Sequence, residues 1–223
     1  MGIRRGPKPI VTNGLIYYMD AANKSSYPGT GTDCFDLIRS NDTVLNNGVS
    51  FDSGNVGIFD FDGTDDYIGD IDLTFLTAPY SVELFINFDD LDIATRFFTT
   101  VSRITGDDVL LMIQDDAKFR IYDGTSWRYV TTTIMSTGTW YHHVVTLESD
   151  GRTCKGYLNG VEEVSQTITN TAFINYSDYA IGRKYSGFGN YFNGKISNFK
   201  IYNRVLTSSE VLQNYNALKN RFI

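Results

Sequence analysis

The chain has 223 residues but only two cysteines, Cys34 and Cys154, which lie far apart. Without a secretory context, that count predicts two buried thiols rather than a disulfide framework. No run of about eighteen apolar residues occurs, so no transmembrane helix or membrane insertion is expected. The first ten residues, MGIRRGPKPI, also lack the apolar stretch of a secretory signal, so no export signal is expected. Basic residues are outnumbered, 19 Lys and Arg against 26 Asp and Glu, for a net charge of −7. Phosphate neutralisation needs clustered cations, so a nucleic-acid partner is not expected. Histidine is limited to His142 and His143, and methionine to four residues. Convincing helical periodicity is confined to one stretch near the C-terminus.

Aromatics are plentiful, with 15 Tyr and 15 Phe in a chain that is 42% hydrophobic. This is enough to bury a core and excludes global disorder. The usage of Tyr, Phe, Thr, Gly and Val favours strands, and this length suits a single all-β unit. Charge divides the chain unevenly. Arg4, Arg5 and Lys8 give the first ten residues +3, which leaves −10 for the remainder. With Pro7 and Pro9 unable to donate to a ladder, residues 1–12 read as a flexible basic arm and 13–223 as one folded domain. An arm of this kind either docks on a larger assembly through Arg4, Arg5 and Lys8, ordering as it binds, or is a frayed terminus.

Alternation places the strands. The stretch IFDFDGTDDYI (residues 58–68) alternates large apolar and acidic side chains, turns at Gly63-Thr64 and resumes at Tyr67-Ile68. Phe59, Phe61 and Tyr67 are expected in the core. LIYYMD (15–20) reads as a first strand, followed by a long Asn-, Asp-, Ser- and Gly-rich connection over residues 21–47. YSVELFINF (80–88) sets Val82, Leu84, Ile86 and Phe88 on one face. Further strands are expected over 97–103, 109–113, 118–122, 127–132, 140–147, 153–158, 161–168, 179–183 and 195–202. Asp123-Gly124 and Asn159-Gly160 mark tight hairpins. Thr207 and Glu210 form a Ser/Thr-x-x-Glu capping box with Leu206 and Val211 as a staple. Val211, Leu212, Tyr215 and Leu218 then line one helical face. Turns recur at the spacing of a sandwich or jelly roll.

In order along the chain, FDFDGTDDYI (59–68), SVELFINF (81–88), WYHHVV (140–145), YLNG (157–160) and GKISNFKIYNRVLTSSEV (194–211) resemble the laminin-G-like jelly rolls of the concanavalin A-like lectin/glucanase superfamily. The resemblance implies a concanavalin A-like β-sandwich with a short C-terminal helix. Two departures stand out, Phe85 where tryptophan is frequent and the doubled histidine. DAANKSSYPGTGTDCFDL (20–37) and NYNALKNRF (214–222) are further similar to versions of this domain encoded by tailed bacteriophages, which implies a virion surface or fibre protein.

Four features are candidates for chemistry. Asp62, Asp65 and Asp66 crowd one glycine turn and are either a Ca²⁺ site, which the family resemblance supports, or a solvated acidic turn. The segment KYSGFGNYFN (184–193) carries Tyr185, Phe188, Asn190 and Tyr191. Its aromatic faces and amides suit sugar rings and hydroxyls, or else cover the sandwich end or meet a protein. His142 and His143 are adjacent on a strand and point to opposite faces, so one is expected buried and the other exposed. Trp127 and Tyr129 are expected to line the core. A glycosidase needs two convergent carboxylates, and no alternating E-x-D-x-E run is present. The expectation is therefore no enzyme.

Together these readings predict a non-catalytic virion surface protein of a tailed phage, a capsid decoration or fibre component that binds glycans. Its partners would be other virion proteins, host surface glycans and, in a homo-oligomer, its own copies. Its location would be the virion, assembled in the host cytoplasm. Apart from Ca²⁺, no cofactor is expected. The alternative is a calcium-dependent lectin module of cellular origin.

Overall fold

The structure, a computed structural model, describes residues 7–91, 98–103, 109–113, 117–123, 126–169, 177–183 and 191–222. The strands are β1 Leu15–Asp20, β2 Asp33–Cys34, β3 Thr43–Asn46, β4 Ser50–Asp52, β5 Ile58–Asp62, β6 Tyr67–Ile71, β7 Tyr80–Phe88 and β8 Phe98–Arg103. They continue as β9 Val109–Ile113, β10 Phe119–Tyr122, β11 Trp127–Tyr129, β12 Trp140–Leu147, β13 Thr153–Leu158, β14 Val161–Thr167, β15 Tyr179–Ile181 and β16 Asn193–Tyr202. One α-helix, α1 (Ser208–Leu218), follows the last strand.

Two antiparallel sheets of eight strands face each other. One runs β14-β13-β12-β7-β16-β5-β4, with β1 also paired to β16. The other runs β11-β10-β9-β8-β15-β6-β3-β2. The protein is thus a β-sandwich of jelly-roll type with one short C-terminal helix. Strands distant in sequence are neighbours here: β16 lies between β7 and β5, so the end of the chain sits in the middle of a sheet.

Alternation fills the space between the sheets. Phe59, Phe61, Val82, Leu84, Ile86 and Phe88 of the first sheet meet Ile68, Phe119 and Tyr179 of the second in one buried cluster. Phe88 and Phe119 pack across the gap with ring centroids 6.0 Å apart. Burying such a side chain contributes about 1.5–3 kcal/mol. Tyr67, expected in this core, is only half-buried.

The outer face of the first sheet is covered as well, which makes every residue of β7 buried. The cover is α1. Thr207 Oγ1 accepts from Glu210 N at 3.3 Å while Glu210 Oε2 accepts from Thr207 N at 2.9 Å, closing the expected capping box. Leu206 and Val211 share one apolar cluster, completing the staple. Arg204 donates to both oxygens of Glu210 at 2.8 Å, and this pairing holds the Glu210 carboxyl down at about 2.

Beneath the helix the contacts are polar. Lys200 Nζ lies 2.7 Å from Glu83 Oε1, and both side chains are fully buried. Asn214 Nδ2 donates to Glu83 Oε2 at 2.6 Å and to Tyr202 Oη at 3.0 Å. Burial alone would raise the Glu83 carboxyl, but Lys200 and His142 outweigh it and hold Glu83 below the ordinary carboxylate range.

Several expectations are corrected. Both histidines are fully buried: His142 faces the helix, stacked near Phe85 and Tyr215, while His143 faces the core against Phe119 at 3.9 Å. A strand covered on both faces leaves no exposed side for either. Tyr129 is exposed and Trp127 half-buried, because β11 is an edge strand rather than a core one. The 21–47 connection contains the short strands β2 and β3. Cys34 and Cys154 are, as expected, free buried thiols, each pushed up to about 12 by desolvation. Finally, packing begins before residue 13: Val11 is buried and donates its N–H to Asn214 Oδ1 at 2.8 Å, and Gln213 Nε2 donates to the Pro9 carbonyl at 2.8 Å. The helix surface thus supplies partners for the backbone of Pro9 and Val11.

Candidate functional site

The acidic turn between β5 and β6 lies at one end of the sandwich. Asp62 ends β5 exposed, and its Oδ1 accepts from Thr64 N at 2.7 Å, an Asx-type turn. Gly63 takes φ of 75°, a left-handed conformation that favours glycine at the reversal. Asp66 then turns back beneath the strand end, where its Oδ2 accepts from Asp62 N at 2.9 Å. Its other oxygen, Oδ1, is buried with no hydrogen-bond partner, although the residue is only 3% exposed. Burial, opposed by the bond from Asp62 N and reinforced by the charges of Asp62, Asp65 and Asp60, raises the Asp66 carboxyl above its ordinary value.

One carboxylate oxygen from each of Asp62, Asp65 and Asp66 lies within 4.8 Å of the other two. Oxygens bound to one Ca²⁺ at about 2.3–2.6 Å can be no more than about 5 Å apart, so the three residues fit a single hard cation. The unpartnered Asp66 Oδ1 is the ligand such an ion would satisfy. Ser50, Asp60, Asp62, Asp66 and Asn193 line a hollow of about 260 Å³ beside the turn.

The expected sugar loop is rooted at this same end. Tyr185, Phe188 and Asn190 lie outside the described residues, which resume at Tyr191. Arg183 and Tyr191 form an antiparallel bridge, and Phe192 N donates to the Gly182 carbonyl at 2.7 Å. The Arg183 guanidinium sits 4.5 Å from the ring centroid of Tyr67, directly after the acidic turn. At Gly182 (φ +91°) a Cβ would come within 2.7 Å of the Phe61 ring, so glycine lets this strand end close over β5. Asn193 pairs with Asp62 across β16 and β5. Two features read separately from the sequence, the aspartate turn and the 184–193 segment, thus share one rim.

Of the basic arm, Arg4 and Arg5 lie outside the described residues. Lys8 is exposed beside Glu210 and Gln213 of α1, far in sequence from the acidic rim. The buried Glu83–Lys200 pair was not anticipated, although its signal was present as opposite charges in two strands that lie side by side in the middle of the first sheet.

Comparison with solved structures gives the same fold. The sialidase of Trypanosoma rangeli, in complex with the inhibitor DANA, superposes with TM-score 0.71 at 17% identity, over 96% of this chain and 34% of that one. This chain therefore spans about a third of that sialidase. Domain 4 of AbnA, a GH43 extracellular arabinanase from Geobacillus stearothermophilus in complex with arabinotriose, matches with TM-score 0.69 and 18% identity, over 90% and 98% of the two chains. The binding domain of Paraclostridial Mosquitocidal Protein 1 matches with TM-score 0.70 and 18% identity, over 92% and 52%. None of the curated protein sequences compared with the chain matches it.

These likenesses correct the expectation of no enzyme. The fold recurs in sialidases as well as in a binding domain, and a missing E-x-D-x-E run does not exclude carboxylates brought together from separate strands. The family is shown by sequence: the model described as the concanavalin A-like lectin/glucanases superfamily, of laminin-G type, matches residues 62–212, and the chain belongs to that family.

Proposed function

We propose that the chain is a glycan-binding module whose ligand engages the rim shared by the Asp62–Asp66 turn and the base of the 184–193 segment. The observation that carries this reading is the convergence itself. A hollow lined by carboxylates and an amide contains a buried, unpartnered Asp66 oxygen, and an aromatic-rich segment begins beside it. Sugar hydroxyls donate to such oxygens, and a Ca²⁺ held by Asp62, Asp65 and Asp66 would accept hydroxyl ligands in turn. The complex of the arabinanase domain with arabinotriose supports the class of ligand. A glycan array run with 5 mM calcium and with chelator tests it. Binding that falls on Asp66→Asn or Tyr191→Ala supports the reading, and an array without a single bound glycan under both conditions refutes it.

We read the biological setting as the surface of a tailed-phage particle, with residues 13–223 as one domain of a capsid decoration or fibre protein. The likeness of the 20–37 and 214–222 segments to phage-encoded versions of the domain supports this. Arg4, Arg5 and Lys8 would then dock on an acidic virion protein, and deletion of residues 1–10 should abolish co-purification with particles. Retention on particles after that deletion would refute the docking role. A cellular calcium-dependent lectin would fail to co-purify from the outset.

A further inference from the structure

Glu83 of β7, Lys200 of β16 and Asn214 of α1 meet between the first sheet and the helix, and all three side chains are fully buried. Lys200 stands directly opposite Glu83 across the two strands, so both share the outer face of the sheet. Docking of α1 brings Asn214 onto them. Val144, Tyr157, Leu206 and Val211 belong to the apolar cluster around this site.

An amine, an amide and a carboxyl group closed off from water are the parts of an acyl transfer. Glu83 holds the other two groups at once: Lys200 Nζ donates to its Oε1 at 2.7 Å, and Asn214 Nδ2 donates to its Oε2 at 2.6 Å. The amide is also oriented. Its Oδ1 accepts from Val11 N at 2.8 Å while Nδ2 donates to Tyr202 Oη at 3.0 Å as well, so the carbonyl oxygen faces a backbone N–H and the nitrogen faces two acceptors.

We propose that Lys200 and Asn214 join in an intramolecular isopeptide bond, formed by the chain itself with Glu83 as the acid–base group, which ties α1 covalently to the middle of the first sheet.

The charge pair seen in the structure is the unreacted state. Lys200 passes a proton along the 2.7 Å bond to Glu83, a transfer that removes two buried charges from a site closed to water. The freed lone pair of Nζ attacks Asn214 Cγ, forming the Nζ–Cγ bond. The carbonyl π pair moves onto Oδ1, where the Val11 N–H stabilises the oxyanion. Glu83 gives its proton to Nδ2 as the Cγ–Nδ2 bond breaks, and takes one from Nζ. One amine and one primary amide thus become one secondary amide and ammonia, with Glu83 left as a neutral acid beside the new bond. No co-reactant is consumed. The movement required is a swing of Nζ from Oε1 to within about 3–3.5 Å of Cγ, which the flexible four-carbon stem of lysine allows.

Asn198 is a poorer acceptor for the same amine. Its Oδ1 accepts from Lys200 Nζ at 2.8 Å, but its Nδ2 donates to Ser197 Oγ at 3.4 Å and not to Glu83, so its leaving nitrogen lacks the proton donor. A bond to Asn198 would also join two residues of one strand. A bond to Asn214 closes the turn between β16 and α1, and a cross-link of this kind constrains the unfolded chain as a disulfide does.

Peptide mass spectrometry of the full chain tests the proposal, on protein freshly purified and after prolonged incubation at neutral pH. Trypsin does not cleave after an acylated lysine, so residues 196–204 and 205–219 should appear as one branched species, lighter than the two peptides together by about 17 Da, the mass of ammonia. Fragmentation should place the link between Lys200 and Asn214. Asn214→Ala and Glu83→Gln should each give cleavage after Lys200 and no branched species, and the parent decides by itself if these variants do not fold. Complete cleavage after Lys200 in the parent throughout the incubation overturns the proposal. Loss of ammonia confined to Asn198, or to the Asn-Gly pairs at 47–48 and 159–160, also overturns it, as does undiminished cross-linking in Glu83→Gln.

Discussion

Replacing Lys200 by methionine should be among the most damaging single changes in the protein. Lys200 Nζ sits 2.7 Å from Glu83 Oε1 and 2.8 Å from Asn198 Oδ1, and both members of the ion pair are wholly inaccessible to solvent. Methionine keeps the length of the side chain and removes its charge. Among the described residues, Glu83 is then a buried carboxylate facing Asn214 Nδ2 at 2.6 Å and His142 Nε2 at 3.2 Å, the latter without hydrogen-bond alignment. Breaking a buried pair from one side costs about 3–5 kcal/mol, whereas replacing both partners by apolar groups is often close to neutral. Urea denaturation followed by circular dichroism should show Lys200→Met about 3–5 kcal/mol less stable than the parent. Adding Glu83→Leu should restore much of the loss. A deficit below about 1 kcal/mol in Lys200→Met, or a double variant less stable than the single one, would refute the description of α1 as seated on a coupled buried charge pair.

Acid should weaken the fold in two stages. Desolvation holds His142 below its ordinary value and His143 far below it, with the His142 charge adding to the second effect. Both histidines therefore bind fewer protons folded than unfolded, and stability present above about pH 6.5 is lost as pH falls below it, by up to about 1.4 kcal/mol per pH unit for each histidine. Glu83 is shifted down, so its contribution persists to lower pH and is lost below about 4.5 as its folded value is approached. His143→Phe should flatten the slope of urea midpoints between pH 6.5 and 5, and an unchanged slope would contradict the assignment. Thr207→Ala removes the helix cap and should cost about 1 kcal/mol by the same denaturation assay. Calcium at about 100 times its dissociation constant should add about 2.7 kcal/mol, at about 2–4 °C of melting temperature per kcal/mol. Asp66→Asn should abolish that shift, and an unmoved parent at 5 mM calcium would remove the metal from the account.

What could be read from the residues follows from where local patterns suffice. Strand β7 announces itself through Val82, Leu84, Ile86 and Phe88, and α1 through Thr207, Glu210 and their staple, because alternation and capping are local. Strands β2 to β4 escape such a reading. They are two to four residues long and are held by cross-strand partners such as Gly69 and Phe59, which lie elsewhere in the chain. The burial of both histidines was hidden for a similar reason, since only the docking of α1 covers the second face of β12. The Asp62–Asp66 cluster was legible because its members are nearly adjacent. Its meeting with Ser50, Asp60 and Asn193 was not, because β4, β5 and β16 must come into register first.

The central claim, that glycans are met at the rim of the aspartate turn, is tested most directly by mapping amide shifts. An isotope-labelled sample would be titrated with the tightest glycan from the array, and its ¹H–¹⁵N spectrum followed. The account predicts perturbations at Gly48, at residues 62–66, at Tyr191 and at Asn193. Shifts confined to the β14 edge or to the outer surface of α1, with the rim unmoved, would contradict it.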